Sequence, residues 1–446
     1  MKRRNYRRRQ TSWVKRPLLV LASLIALLGV LPFVIPFQLY IPCLEQAVFQ
    51  RLHEPVSITR IKLALFPVPH IRLEGVAVGP LRDLNIQYVT VYPDLFSLMN
   101  SVKTLNSVEL DGVNLNDEAI ERVSGWIKKS KGPAAFQVRE IKLRHVDFRP
   151  GKADFGSLQA DIALKPEGGL AHATVYTADE RLKIGLQPDG ENYAAAFQAK
   201  HWRIPLEPNV VFDTLDGEAT ISHDEMSLHD VDGTLYGGSI EGTAIVNWQG
   251  GWKVRGDLKA EDILLESLMP LFTTSASVSG RLNMDGNFQM SAKEVGELMD
   301  SQDGSFRFNV KNGVIYNMDM ARAVRAATSE VRGGQTSFDR FYGKLQINGK
   351  QFYFQDTHIA SGLLKARGKL KVGASNEIAG HAKVEITGTA SKLSMPMKIS
   401  GYLSDPVLLP EKTAMAGVVA DTAILKPGIG TSVGTKAGGY LNQLFK

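Results

Sequence analysis

The feature that most constrains this chain is a two-residue alternation of apolar and polar side chains that recurs along almost its whole length. Ile61, Leu63 and Leu65 alternate with Lys62 and Ala64, Ile71 and Leu73 with Arg72 and Glu74, and Val108 and Leu110 flank Glu109. The same period returns from Leu158 to Leu164, Leu182 to Leu186, Phe306 to Val310, at Phe352 and Phe354, from Ala382 to Ile386 and from Met395 to Ile399. A strand sends successive side chains to opposite faces, so each segment reads as a half-buried strand. Clusters such as Pro188-Asp189-Gly190, Trp248-Gln249-Gly250-Gly251, Lys311-Asn312-Gly313 and Ile347-Asn348-Gly349 separate them and suit tight hairpins. About 22 such segments predict a mainly β chain, an elongated, curved antiparallel sheet with a groove-like face. At ~4.8 Å per strand it would be on the order of 100 Å long. One face would be apolar and the other wet, so the sheet must curl, pack or bind something apolar. Alternation alone fits an open groove and a closed sandwich equally.

A second constraint lies at the N-terminus. Pro17 to Ile41 contains no ionisable side chain except the Tyr40 phenol, which is long enough for a transmembrane helix, loosened toward its end by Pro32 and Pro36. Before it stand Lys2, Arg3, Arg4, Arg7, Arg8, Arg9, Lys15 and Arg16, with no acid until Glu45. Positive charge stays inside, and Trp13 and Tyr40 suit the two interfacial belts, so the N-terminus is expected in the cytoplasm and the bulk on the far side. Of 52 Lys and Arg, eight lie in this arm, leaving 44 against 46 Asp and Glu. The body is therefore near neutral, and nucleic acid is not an expected partner. The apolar run exceeds a signal-peptide core and ends without a small-residue cleavage site. Cys43, the single cysteine, follows Tyr40, Ile41 and Pro42 rather than a small residue, which favours a free thiol over a lipidated one. No intramolecular disulfide is possible, so core and hydrogen bonds must hold the body.

Helical signals are short: Leu44 to Leu52, Glu118 to Lys129 behind Asn116-Asp117, Asp262 to Leu271, Ala292 to Met299 and Met318 to Thr328. They read as plugs for the sheet. Motifs of catalysis are lacking: there is no His-Glu-x-x-His, no Gly-x-Ser-x-Gly, and the glycines at 428, 430 and 434 follow no βαβ strand. His223 and His229 with Asp224, Glu225, Asp230 and Asp232 form the most metal-like cluster, but the pattern is that of a solvated turn. No enzyme, cofactor or metal is expected.

Two stretches resemble the AsmA family of bacterial envelope proteins. From Leu44 to about Leu115, the helix, the Phe66-Pro67-Val68-Pro69 turn, Leu73-Glu74-Gly75-Val76 and Leu110-Asp111-Gly112-Val113 look like that family's opening. From about Ser279 to Pro410, GRLNMDGNF, GSFRFNVKNGVIYNMDMARAVRAA and the Ser400 to Pro406 ending SGYLSDP look like its Gly-bounded late strands. The middle, about Gly132 to Ser275, keeps the strand period without such motifs. The expected organisation is an arm at 1–16, a span at 17–41, AsmA-like regions at 42–131 and 276–410, a middle β region at 132–275 and a Gly-rich amphipathic tail at 411–446.

The resemblance implies a single-pass inner-membrane protein facing the periplasm. Its implied role is in outer-membrane biogenesis, through binding or transfer of phospholipid acyl chains along an apolar β-groove. The alternative is a scaffold or regulator that contacts envelope assembly proteins. In the tail, Tyr440, Leu441, Leu444 and Phe445 suit contact with a membrane or partner. The residues lining a lipid groove are not legible at this level.

Overall fold

The computed structural model describes residues 37–80, 82, 84–100, 102–115, 136–148, 154–273, 277–326, 329–387 and 392–411. Outside these lie residues 17–36 of the predicted span, the eight basic arm residues, the predicted helix Glu118 to Lys129, and Tyr440, Leu441, Leu444 and Phe445. Among the described residues no helix is long and apolar enough to cross a membrane. They form a mainly β fold of 22 strands with a few short helices.

A 3-10 turn, Phe37–Tyr40, runs into α1 (Ile41–Leu52), the predicted linking helix begun three residues early. Pro42 sits in its first turn, where no intrahelical N–H is needed. His53, in the left-handed conformation, ends it with its N–H on the Phe49 carbonyl at 2.7 Å. The helix lies along β1 (Val56–Ala64), which has a strand partner on one side only. Two side chains serve the other side: Glu45 accepts from the Ile58 N–H at 2.8 Å, and Gln38 donates to the Ile61 carbonyl at 3.2 Å. Unpaired edge groups are thereby answered within the chain.

The chain divides into two compact units, one of residues 1–150 and 154–188, the other of 151–153 and 189–446. In the first, β1, β2 (His70–Val78), β3 (Leu84–Pro93) and β4 (Lys103–Leu115) form an antiparallel meander. The next strand, β5 (Phe136–Phe148), is parallel to β4, a departure from the predicted all-antiparallel order. Parallel neighbours need a crossover, and residues 116–135 supply it. Antiparallel pairing resumes through β6 (Ser157–Leu164), β7 (Leu170–Thr177) and β8 (Leu182–Asp189).

The core of this unit is two apolar rows across the strands. Ile58, Val76, Ile86, Val113 and Val146 are register partners in turn and all are buried. The second row is Ile61, Leu73, Val89, Leu110 and Leu143. In every strand the rows are three residues apart, an odd spacing that would put them on opposite faces of a regular strand. The backbone corrects this with left-handed residues at Gly75 (φ 63°), Gly112 (φ 66°) and His145 (φ 48°). At His145 the register with β6 shifts, a bulge, while the pairing of β1 to β5 keeps its register past Gly75 and Gly112. On the other face His145 Nδ1 lies 2.7 Å from Asp111, and Glu74 is paired with Lys62 at 2.7 Å.

The second unit is an antiparallel run. Its strands are β9 (Asn192–Arg203), β10 (Val211–Ile221), β11 (Glu225–Leu235), β12 (Gly238–Asn247), β13 (Trp252–Leu264), β14 (Arg281–Ala292) and β15 (Asp303–Tyr316). After the two-residue β16 (Val331–Arg332), it continues through β17 (Gln335–Asn348), β18 (Gln351–Ser361), β19 (Leu364–Val372), β20 (Ile378–Thr387), β21 (Lys392–Tyr402) and β22 (Asp405–Pro410). Strand β22 returns to pair with β16, Val331 facing Leu408, so β16 to β22 roll up on themselves. Helices α2 (Leu265–Leu268) and α3 (Met320–Ala326) pack into that roll, with Ala323 and Val324 at 0 and 1% exposure. The backbone entering α3 is fixed by Thr336, whose hydroxyl donates to the Met318 carbonyl at 2.6 Å and accepts from the Met320 N–H at 3.0 Å.

Several expectations need correction. Lys311-Asn312-Gly313 is no hairpin turn: it lies inside β15, where Lys311 faces both Arg281 and Arg340. Helix over Asp262 to Leu271 begins only at Leu265, because Asp262 to Leu264 remain in β13. Ala292 belongs to β14, and the helical turn after it is a 3-10 stretch, Val295–Ser301. By contrast Trp248 to Gly251 and Gly349 do close hairpins.

Candidate functional site

The most distinctive chemistry of the second unit is a set of apolar rows running across β9 to β14, built by alternating bulky residues with glycine. Phe197 faces Gly217, Gly217 faces the Asp230-Val231 bulge, Val231 faces Gly242, Gly242 faces Leu258, Leu258 faces Gly286, and Gly286 faces Phe306. A parallel row reads Ala219, Leu228, Ala244, Gly256, Phe288 and Gly304.

Glycine inside a strand costs stability unless a neighbour fills its place. Here aromatic rings do so. A Cβ at Gly217 would sit 2.5 Å from Phe197 Cζ, one at Gly256 3.0 Å from Phe288 Cζ, and one at Gly286 2.7 Å from Phe306 Cδ1. Rings therefore lie across Gly217, Gly256 and Gly286, giving an apolar floor, with backbone carbonyls of Thr243, Asp257 and Ser305 also close to Gly256, Gly242 and Gly286.

Exposure divides this floor in two. From β9 to β14, Phe197, Leu228, Val231, Ile240, Leu258 and Phe288 are half-buried, so solvent reaches them. On β15 Phe306 is 5% exposed, Phe308 6% and Val310 3%, whereas Leu345 and Phe354, which continue the Phe306 row into β17 and β18, are half-buried like the floor. Phe308 meets Phe341 and Phe354 edge-on at 5.1 and 5.7 Å, and Met397, Val384 and Leu408 complete the core beneath α3. The second unit thus holds both alternatives left by the alternation: half-exposed apolar rows that begin at β9 and continue into β18, and a packed interior beneath α3.

The opposite face is ionic. Glu241, Lys259, Asp285, Arg307 and Lys344 are successive register partners across β12 to β17. Lys259 lies 3.5 Å from Glu241 and 2.9 Å from Glu261, and Arg307 lies 2.7 Å from Asp285. The Glu261 and Glu241 carboxylates hold the Lys259 ammonium above its ordinary range, and the Asp285 hydrogen bond does the same for the Arg307 guanidinium. Opposite charges directly across from one another favour this register. They leave the apolar face the only one suited to hydrocarbon.

The histidine cluster does not assemble. His223 lies in the turn between β10 and β11, while His229, Asp230 and Asp232 are spread along β11. Among the described residues no group of three or more His, Cys, Asp or Glu could hold a metal ion. Cys43 is exposed on α1. The floor residues were missed by sequence reasoning, although their signal is present: mid-strand glycines at 217, 242, 256 and 286, each matched by a bulky residue on the adjoining strand.

Fold and face together define an open antiparallel sheet protein with one hydrocarbon face. The model of the AsmA family matches residues 200–351, from the end of β9 to the first residue of β18. This match takes in most of the open floor, including residues of the middle region where no family motif was legible. No curated protein and no solved structure matches the chain.

Proposed function

We propose that this is a single-pass inner-membrane protein whose periplasmic sheet binds phospholipid acyl chains on the β9 to β14 floor, in the service of outer-membrane biogenesis. The carrying observation is the half-exposed floor of Phe197, Leu228, Val231, Leu258 and Phe288, large side chains on the apolar face of the sheet that solvent reaches. Six strands at ~4.8 Å spacing give a floor about 24 Å wide. An acyl chain occupies about half of a ~30 Å bilayer core, so one chain fits across it. Each methylene withdrawn from water contributes about 0.8 kcal/mol, which lets a smooth floor hold a chain without polar recognition. The AsmA-family match over residues 200–351 and the apolar, uncharged segment from Pro17 to Ile41 support the envelope setting.

The test is a photoreactive residue placed at Leu258 or Phe288, with Asp257 on the ionic face as control, in the full chain within intact envelopes. Phospholipid adducts at 258 and 288 and none at 257 are expected. Adducts to polypeptide at 258 and 288, with no lipid, would replace this reading by the scaffold one.

A further inference from the structure

Two loops of the first unit hold large apolar side chains out in solvent. Phe66 and Val68 do so between β1 and β2, and Leu95, Phe96, Met99 and Val102 between β3 and β4. Phe96 is 92% exposed and Met99 95%, far beyond the half-buried state of the floor. Surface loops are ordinarily polar, and clustered apolar groups of this size mark a contact surface.

The second loop is held in this state by its own hydrogen bonds. Asp94 accepts from the Phe96 N–H at 3.1 Å, capping the 3-10 turn Leu95–Met99. Buried Ser97 donates to the Asp94 carbonyl at 2.7 Å and accepts from the Thr104 N–H at 2.8 Å. The turn is thus tied to β4 through Ser97 while its neighbours Phe96 and Met99 face outward.

Both loops stand at one end of the meander. Ala64 faces His70 across the first loop, and the His70 ring lies 5.3 Å from that of Tyr92, two residues before Asp94. The incoming chain reaches the same end. Glu45 is bound at Ile58 and Gln38 at Ile61, so the backbone read back toward the N-terminus moves along β1 toward Ala64, leaving Leu39 76% exposed. Immediately before it lies the apolar segment predicted to span the bilayer. Lys103 and Arg139 flank the second loop, supplying cations at headgroup depth.

We propose that the β1–β2 and β3–β4 loops are immersed in the periplasmic leaflet of the bilayer that carries the predicted span, seating the first unit on the lipid surface. This rests on the anchored reading given above. Amphipathic segments of this type bury apolar groups roughly 5–10 Å into the headgroup and acyl boundary, and paired basic residues strengthen the hold on anionic lipid.

The experiment uses the full chain with Cys43→Ser and a nitroxide on Phe96→Cys, Met99→Cys or, at the opposite end of β4, Asn114→Cys. The chain is reconstituted in vesicles of phosphatidylethanolamine and phosphatidylglycerol, and collision with oxygen and with a water-soluble nickel chelate is measured. Labels at 96 and 99 are expected roughly 5–10 Å below the phosphates, rich in oxygen and poor in nickel, while 114 behaves as in water. Labels at 96 and 99 as open to nickel as 114 would overturn the proposal. So would labels shielded from both probes, which signals cover by polypeptide. Acyl crosslinking at Leu258 and Phe288 in the same vesicles reports on the floor separately, so either reading can fail alone.

Discussion

At the scale of residues, the first unit turns on one recurrent device. Leu73-Glu74-Gly75-Val76, Leu110-Asp111-Gly112-Val113 and Leu143-Arg144-His145-Val146 each place two core residues three apart around a left-handed residue. What reads in sequence as a family motif is physically a left-handed residue between two core residues. At Gly112 a Cβ would stand 2.8 Å from Gln87 Cγ, with φ at 66°. Gly112→Val should therefore cost about 1–3 kcal/mol in denaturant unfolding of the chain, and Gly112→Asn less, since asparagine tolerates that conformation. Glu74 gives a pH prediction. The Lys62 hydrogen bond, helped by Arg60 and Arg72, holds its carboxyl below the usual range. Its contribution is then complete above the ordinary carboxylate range and is lost as pH falls through the lowered value. Glu74→Gln should slightly lower the neutral melting temperature and make the acid-side fall shallower, so that variant and parent converge at low pH.

Among elements, the closing of the C-terminal roll separates packing from charge. Met397 and Val384 are wholly buried between β20, β21 and α3, whereas the Arg332 pairs with Glu330 and Asp405, which join β16 to β22, are exposed to water. Met397→Ala should cost about 2–5 kcal/mol by leaving a cavity. Arg332→Ala should leave the melting temperature nearly unchanged, because exposed pairs are screened. Thermal unfolding of the two variants side by side distinguishes them. The same scale explains the error at Lys311-Asn312-Gly313. Asn312 does adopt the positive φ that a tight turn requires, but β14 and β17 pair with β15 on both sides. Gly313 is needed there for close approach, a Cβ falling 2.5 Å from Phe338 Cζ. Local turn chemistry thus served a bend within a strand instead of a reversal.

For the molecule as a whole, function is argued from where a continuous apolar surface ceases to be covered. Leu258 sits mid-floor beside Gly286, and Asp257 is its neighbour on the ionic face. Leu258→Lys should reduce phospholipid adducts at a probe on Phe288. Keeping two methylenes from the floor costs about 1.6 kcal/mol, on the order of tenfold in occupancy. Asp257→Lys should leave the adducts unchanged, which separates a local floor effect from a general one.

The two-residue alternation by itself determined the strands, their number and most hairpins, because a strand's period is a local property of the backbone. It also separated an ionic face from an apolar one in β12 to β17, where Lys259 and Asp285 alternate with Leu258 and Gly286. Only the tertiary structure decided which apolar rows are buried. That Phe308 is buried while Phe288 meets solvent reflects its place in the cluster that joins α3 and Leu408 of β22, contacts between residues distant in the chain. Nor could alternation foresee the parallel β4 and β5, since pairing direction is fixed by the route of the connection between them and not by side-chain period.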